Sequence, residues 1–155
     1  MNRRTTTLIA AALSLTAALA ISGCSSDADK DAKPDLSVSG AFMPEPLNTD
    51  MAGGFLVVKN DSGTADKLTS VTSPLSDDVQ VHETKNQKMQ HVKSLDVPAN
   101  GELKLARGGS HIMFMGLKNK PKLGDKVAIE LHFEKAGPVK VELDVKDRTH
   151  NPKNH

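Results

Sequence analysis

One short segment, residues 108–117, carries side chains that bind soft metal ions at alternating positions. Its sequence, GGSHIMFMGL, contains His111 and Met113 separated by one apolar residue. If the segment forms a strand, these two side chains project from one face, whereas Ile112 and Phe114 project from the other. Ile112 and Phe114 suit a protein core. The opposite face therefore presents an imidazole and a thioether where a solvated strand would carry Lys, Thr or Glu.

A second imidazole and a second thioether lie upstream, in residues 78–94. The apolar residues of this segment alternate, so His82 and Met89 both face outward if the segment forms a hairpin. With a turn centred on Lys85 and Asn86, His82 lies directly opposite Met89, and their Cβ atoms are about 4.5–5.5 Å apart. The pattern thus predicts a second pair of the same donor types on an outward face.

Two imidazoles and two thioethers form a donor set that suits Cu(I). Thioethers are soft ligands that select copper, and imidazole also binds it well. Structural zinc sites use thiolate and imidazole, whereas calcium and magnesium require oxygen ligands. Outside the cytoplasm, thiolates oxidise readily, which favours thioethers in a copper site there.

The spacing of these residues resembles the motif of the PCuAC family of extracytoplasmic copper chaperones. That motif is His, a spacer, Met, twenty-one residues and then His-x-Met, and twenty-one residues separate Met89 from His111. The phrases VHET, VPANGELKL, GGSHIMFMGLK and FEKAG also match in kind, and the resemblance covers residues 38–145. It implies a cupredoxin-like β-sandwich and the copper ligands His82, Met89, His111 and Met113.

The first spacer departs from the family's pattern. The family usually has ten residues between its first His and Met, whereas six residues separate His82 from Met89. A loss of four residues shortens each arm of a hairpin by two. His82 and Met89 would then still lie opposite each other and project from the same face, because strand side chains alternate with a period of two. We therefore expect His82 to remain a ligand, although the departure bears on this residue most.

Each methionine and histidine also has a structural explanation that needs no metal. Core packing is the usual role of methionine, and we assign it to Met115. Met89 could be an exposed packing residue, and isolated histidines are most often ordinary surface residues. His91 lies two residues from Met89 on the same face and could assist Cu(II), but we expect it to be a solvated surface residue. Met43 and Met51 flank a Pro-rich loop and either cover the site or pack.

The N-terminal residues have the pattern of a lipoprotein signal. Two arginines precede an apolar run and small residues, and the sequence ISGC at 21–24 looks like a lipobox. We expect Cys24 to be lipidated. It is the only cysteine, so no disulfide can form within the chain. We expect a signal peptide at 1–23, a disordered tether at 24–35, a folded domain at 36–146 and a flexible tail at 147–155.

The folded region reads as short strands separated by turn residues. The candidates are 36–42, 54–60, 66–73, 78–84, 88–94, 101–106, 111–117, 125–133 and 138–145. Strands at this spacing, without a sustained helical period, predict a single all-β domain, an antiparallel cupredoxin-like or immunoglobulin-like β-sandwich.

Composition excludes several classes of function. Without the signal, 132 residues remain with a formal net charge of −1 and no basic cluster, which argues against a nucleic-acid partner. The chain has no Tyr or Trp, which weakens carbohydrate and base-stacking hypotheses. We find no catalytic residues and expect a protein that is not an enzyme. A blue-copper centre needs a cysteine thiolate, and Cys24 belongs to the lipobox.

The expected function is therefore Cu(I) transfer by a lipid-anchored, extracytoplasmic protein of the bacterial membrane. The family resemblance implies delivery to the copper site of cytochrome c oxidase or another cuproenzyme, with a Sco-type thiol protein as a further partner. The histidines of the tail, His150 and His155, are a candidate second copper site, for Cu(II). The alternatives are copper scavenging or resistance, and a surface lipoprotein that binds no metal.

Overall fold

The computed structural model describes residues 32–152 and contains ten strands. These are β1 (Leu36–Pro44), β2 (Met51–Asn60), β3 (Asp66–Thr72), β4 (Asp78–Lys85), β5 (Lys88–His91), β6 (Leu95–Val97), β7 (Gly101–Leu105), β8 (His111–Met115), β9 (Lys126–Phe133) and β10 (Gly137–Lys146). Within 32–152 there is no helix, and hence none that could cross a membrane. The signal, Cys24 and His155 lie outside the described residues.

All nine predicted strands occur, and the all-β prediction is confirmed. Two differences have local causes. Strand β2 begins at Met51 instead of Gly54, because pairing with β8 holds the poor strand formers Ala52, Gly53 and Gly54 in extended conformation. Strand β6 escaped prediction because three residues are too few to show an alternation of period two.

The strands form one continuous sheet that folds over around a single core. The order of the main path is β5-β4-β8-β2-β1-β10-β9-β3-β6, and β7 pairs with β2. The first half of β2 pairs with β8 and the second half with β7. This strand therefore takes part in both layers of the folded sheet, the one that contains β8 and the one that contains β7. The pairs are antiparallel except β1 with β10, which is parallel.

The core fixes the position of β8. Ile112 and Phe114 have no exposed surface, and burying side chains of this size stabilises the fold by roughly 1.5–3 kcal/mol each. Met43 is also fully buried, so it packs in the core and does not cover the outward face. At Gly54, a Cβ would lie 3.0 Å from the ring of Phe114, which shows how closely β2 approaches this packing.

The β4–β5 hairpin turns one residue later than predicted. Asn86 and Gln87 have φ angles of 51° and 61°, the left-handed pair required by a type I′ turn. The predicted turn centre at Lys85 and Asn86 is therefore wrong. In the observed register Val81 faces Val92, whose backbone N–H donates to the Val81 carbonyl at 3.0 Å. We attribute the register to this apolar cross-strand pair.

Candidate metal centre

Three imidazoles lie side by side in a row across β5, β4 and β8. His82, on the middle strand, pairs with His91 on one side and His111 on the other. The ring centroids of His82 and His91 are 5.9 Å apart, and those of His82 and His111 are 5.4 Å apart. Both centroid separations lie within the span of two imidazoles that bind one ion through nitrogens about 2 Å from it.

The two thioethers flank this row on opposite sides. Met113 follows His111 by two residues on the same face of β8, where its register partners are Gly53 and Gln80. Met89 precedes His91 by two residues on β5, where it pairs with Thr84. Met113 thus lies beyond one edge of the row and Met89 beyond the other.

The predicted pairing of His82 with Met89 is wrong because the turn is shifted. His82 faces His91, and Met89 becomes a diagonal neighbour of His82 at about 7–8 Å. As predicted, the side chains of His82 and Met89 both project from the outward face. The structure brings His82, His111 and Met113 next to one another, whereas Met89 neighbours His82 but not Met113.

The two ends of the row differ in exposure. His111 is only 7% exposed, and its ring lies 6.4 Å from that of Phe55 on β2. Met113 is half-buried. In contrast, every residue of β5 is exposed, and Met89 has 64% of its surface accessible. The β5 end of the row is therefore the more accessible one.

Hydrogen bonds orient two of the three imidazoles. The Nδ1–H of His111 donates to the Gly109 carbonyl at 2.9 Å, which leaves Nε2 free to bind a metal. Asp78 accepts both hydrogen bonds from the Gln80 amide nitrogen, at 3.0 and 3.2 Å. The Gln80 oxygen therefore faces His82 and accepts its Nε2–H at 2.9 Å, so Nδ1 of His82 keeps its lone pair.

The electrostatic environment favours neutral imidazole at the centre of the row. Burial lowers the pKa of His82, and the neighbouring His111 and His91 lower it further. Neutral imidazole is the form that binds metals. Among residues 32–152, no three His, Cys, Asp or Glu side chains converge closely enough to hold an ion. A site of three ligands in this part of the chain therefore needs at least one donor of another type, and the thioethers of Met113 and Met89 are the neighbouring soft donors.

Of two further side chains near the row, one differs from expectation. Met115, assigned to the core, is half-buried on the outward face opposite Met51, which is 52% exposed. His91 is exposed, as expected of a solvated residue, and it is also the direct partner of His82. The pairing of Val81 with Val92 is the sequence signal that could have identified His91.

The beginning of the tail is anchored close to the same face. Arg107 donates hydrogen bonds to the carbonyls of Arg148, at 2.6 Å, and His150, at 3.0 Å. Its guanidinium lies 5.7 Å from the centre of the Phe55 ring. The His150 ring packs edge-on against Phe42, with centroids 4.8 Å apart. This part of the segment predicted to be flexible is therefore held against the sheet.

Comparisons with known proteins agree on a family and a fold. The family described as "Putative lipoprotein LpqE-like" matches residues 36–145. The "Putative lipoprotein Lxx21020" of Leifsonia xyli subsp. xyli (strain CTCB07) is 37% identical over 150 residues, covering 93% of this chain and 89% of that protein.

Solved structures of PCuAC domains share the architecture. The copper-bound PCuAC domain from PmoF2 superimposes with a TM-score of 0.66 at 24% identity, covering 75% of this chain and 96% of that one. The solution structure of Cu(I)-DR1885 from Deinococcus radiodurans has a TM-score of 0.62 at 25% identity, covering 81% and 85%. The predicted cupredoxin-like β-sandwich is confirmed. The chain belongs to the LpqE-like family of lipoproteins and has the fold of a PCuAC domain.

Proposed function

We propose that this protein is an extracytoplasmic metallochaperone that binds Cu(I) and delivers it to a cuproenzyme. The observation that carries the proposal is the 5.4 Å separation of the His82 and His111 rings, with Met113 two residues from His111 on the same face of β8. All three donors are neutral, so one bound Cu(I) gives the site a single positive charge. Soft sulfur with imidazole favours Cu(I) over zinc, calcium or magnesium.

The proposed ligands are His82, Met89, His111 and Met113. Met89 is the least anchored of them, because it lies on an exposed edge strand. This exposure supports transfer over storage, since an acceptor must reach the metal and replace its ligands one at a time. Copper in structures of similar domains supports the choice of metal.

The proposed acceptor is the copper site of cytochrome c oxidase or of another extracytoplasmic cuproenzyme, with a Sco-type thiol protein as a second partner. We propose that Cys24 carries the lipid anchor and that residues 24–35 tether the domain to the membrane. The lipoprotein family and the similar lipoprotein support an anchored location. We propose binding and transfer without catalysis.

The tail offers a secondary site, for which we propose His150 and His155 as Cu(II) ligands. His150 is held against Phe42, so His155 would have to approach it. Truncation after residue 152 tests this site. A nitrogen-coordinated Cu(II) signal in electron paramagnetic resonance is expected to weaken, and an unchanged signal would contradict the assignment.

The experiment that tests the main proposal is an anaerobic Cu(I) competition titration of the mature chain against a chromophoric chelator. We expect tight binding that His82→Ala weakens by more than about tenfold, since even loss of outer-shell partners costs 10–100-fold. His132→Ala is the matched control, because this half-buried histidine lies on β9 and contacts Thr72. Equal affinities for wild type and His82→Ala would contradict the proposal.

Transfer is measured in a second step. The loaded protein is mixed with a copper-free fragment of an oxidase copper-site subunit, and the copper content of each is followed after separation. We expect copper to move to the fragment. Retention of copper by a protein that binds it tightly would favour the scavenging alternative.

A further inference from the structure

The strands on either side of β4 carry the same donor pair in opposite order. Strand β8 has His111-Ile112-Met113, and strand β5 has Met89-Gln90-His91. His82 lies between them, with an imidazole neighbour at 5.4 Å on one side and at 5.9 Å on the other. His82 therefore has one imidazole and one thioether available on each side.

A single ion cannot reach both pairs at once. Met89 and Met113 are separated by two strand spacings and by four residues along the strands, so their Cα atoms lie roughly 16 Å apart. That distance exceeds the span of two methionine side chains bound to one ion. The three imidazoles also form a row and do not converge on one point.

We propose that the centre consists of two overlapping half-sites that share His82. This inference rests on the proposed copper function and divides its ligands. The inner half-site is His82, His111 and Met113, and the outer half-site is His82, Met89 and His91. Because His82 belongs to both, one ion occupies one half-site at a time, and His91 is a copper ligand that the family's motif does not contain.

The half-sites differ in a way that gives them different roles. His111 is buried, and the Gly109 carbonyl fixes its orientation. His91 and Met89 are exposed on an edge strand, and within residues 32–152 no hydrogen bond orients the His91 ring. The pre-oriented inner half-site holds the ion more tightly, whereas the outer half-site presents it to the acceptor.

Movement between the half-sites is a ligand exchange. The bonds from copper to His111 nitrogen and Met113 sulfur break, and bonds to His91 nitrogen and Met89 sulfur form, while the bond to His82 persists. Copper remains Cu(I), every ligand is neutral, and neither an electron nor a proton is transferred. The step therefore requires no further reagent.

Methyl NMR with Ag(I), a redox-inert substitute for Cu(I), tests the division. The mature chain is labelled at the methionine methyl groups and titrated with Ag(I). We expect binding to saturate at one ion per chain, with shifts at both Met113 and Met89 and none at the buried Met43. In His91→Ala the Met89 shift is expected to disappear while the Met113 shift remains.

The rate of Cu(I) transfer and the Cu(I) affinity of His91→Ala and Met113→Ala provide the functional measurement. We expect His91→Ala to slow Cu(I) transfer to a chelator about tenfold and to lower affinity by less than about threefold. Met113→Ala is expected to lower affinity by more than about tenfold. Gln90→Ala, the exposed neighbour on β5, is the control and should change neither quantity.

Three results would overturn the inference. One is a Met89 shift that survives in His91→Ala, and another is a transfer rate that His91→Ala leaves unchanged. The third is saturation at two ions per chain in the protein truncated after residue 152, which would show independent sites that do not share His82. Absence of any Ag(I) or Cu(I) binding would instead overturn the proposed function, and this inference with it.

Discussion

The segments 89–91 and 111–113 carry the same two ligand types but are held in place by different forces. On β8 the residue between the donors is Ile112, which is fully buried, whereas on β5 it is Gln90, which is exposed. Core packing therefore positions His111 and Met113. His91 and Met89 are positioned only by the pairing of β5 with β4 and by the turn between these two strands. How firmly a ligand is held therefore depends on what the opposite face of its strand contacts.

Substitutions of the residues between the donors should differ most in their effect on the free energy of unfolding. Ile112→Ala leaves a cavity under β8, and we expect it to lower the free energy of unfolding by about 2–5 kcal/mol. Gln90→Ala should change it by less than about 0.5 kcal/mol, because the side chain is exposed. Denaturant unfolding of both variants measures the contrast, and equal losses would refute it.

Gln80 orients the imidazole that lies between the two segments. Gln80→Leu keeps a side chain of similar size but removes the acceptor for the Nε2–H of His82. We expect Cu(I) affinity to fall about tenfold, or about 1.4 kcal/mol, since partners that orient ligands contribute on this scale. Competition titration checks this value with Gln90→Leu as the control. An unchanged affinity would mean that the hydrogen bond does not prepare His82 for metal binding.

The turn of the hairpin determines which β5 residue faces His82. Gln87→Gly relieves a left-handed conformation, so we expect a gain of roughly 1 kcal/mol in stability. Lys85→Gly should instead destabilise the protein, because Lys85 is a strand residue paired with Lys88. Thermal unfolding of the two variants separates the registers. The reverse order would support a turn at Lys85 and Asn86 and place Met89 opposite His82.

The smallest expected effect lies far from both segments, on β10. Hydrogen bonds and charges from Lys126 and Lys146 lower the pKa of Asp144. The stabilisation is therefore present above the ordinary carboxyl pKa and is lost as the pH falls through the lower folded value. Asp144→Asn should reduce the melting temperature slightly at pH 7, and this difference should shrink as the pH falls below the ordinary carboxyl pKa. A difference that persists unchanged in acid would contradict the ion-pair explanation.

Much of this architecture could be predicted from alternation alone. Ile112 and Phe114 determine which face of β8 packs on the core, and their burial leaves His111 and Met113 on the opposite face. Met115 follows the same alternation and is half-buried on the outward face. Alternation therefore predicts its position better than the usual packing role of methionine does.

The register of the hairpin could not be predicted in the same way. The same side chains project outward whether the turn is centred on Lys85 and Asn86 or on Asn86 and Gln87. The reason is that the two pairings differ by two residues, the period of a strand. Only a cross-strand contact, Val81 with Val92, distinguishes them. The motif's long spacing identified Met89 but carried no information about His91, since spacing along the chain does not specify which residues oppose one another.

X-ray absorption of the mature chain loaded anaerobically with one Cu(I) identifies the atoms that bind the metal. Two imidazole nitrogens and one thioether sulfur around the copper are the expected first shell, and the double variant Met89→Ala plus Met113→Ala should lose the sulfur contribution. A shell of nitrogen and oxygen alone in the unmodified protein would contradict a Cu(I) centre built on this row of histidines and its flanking methionines.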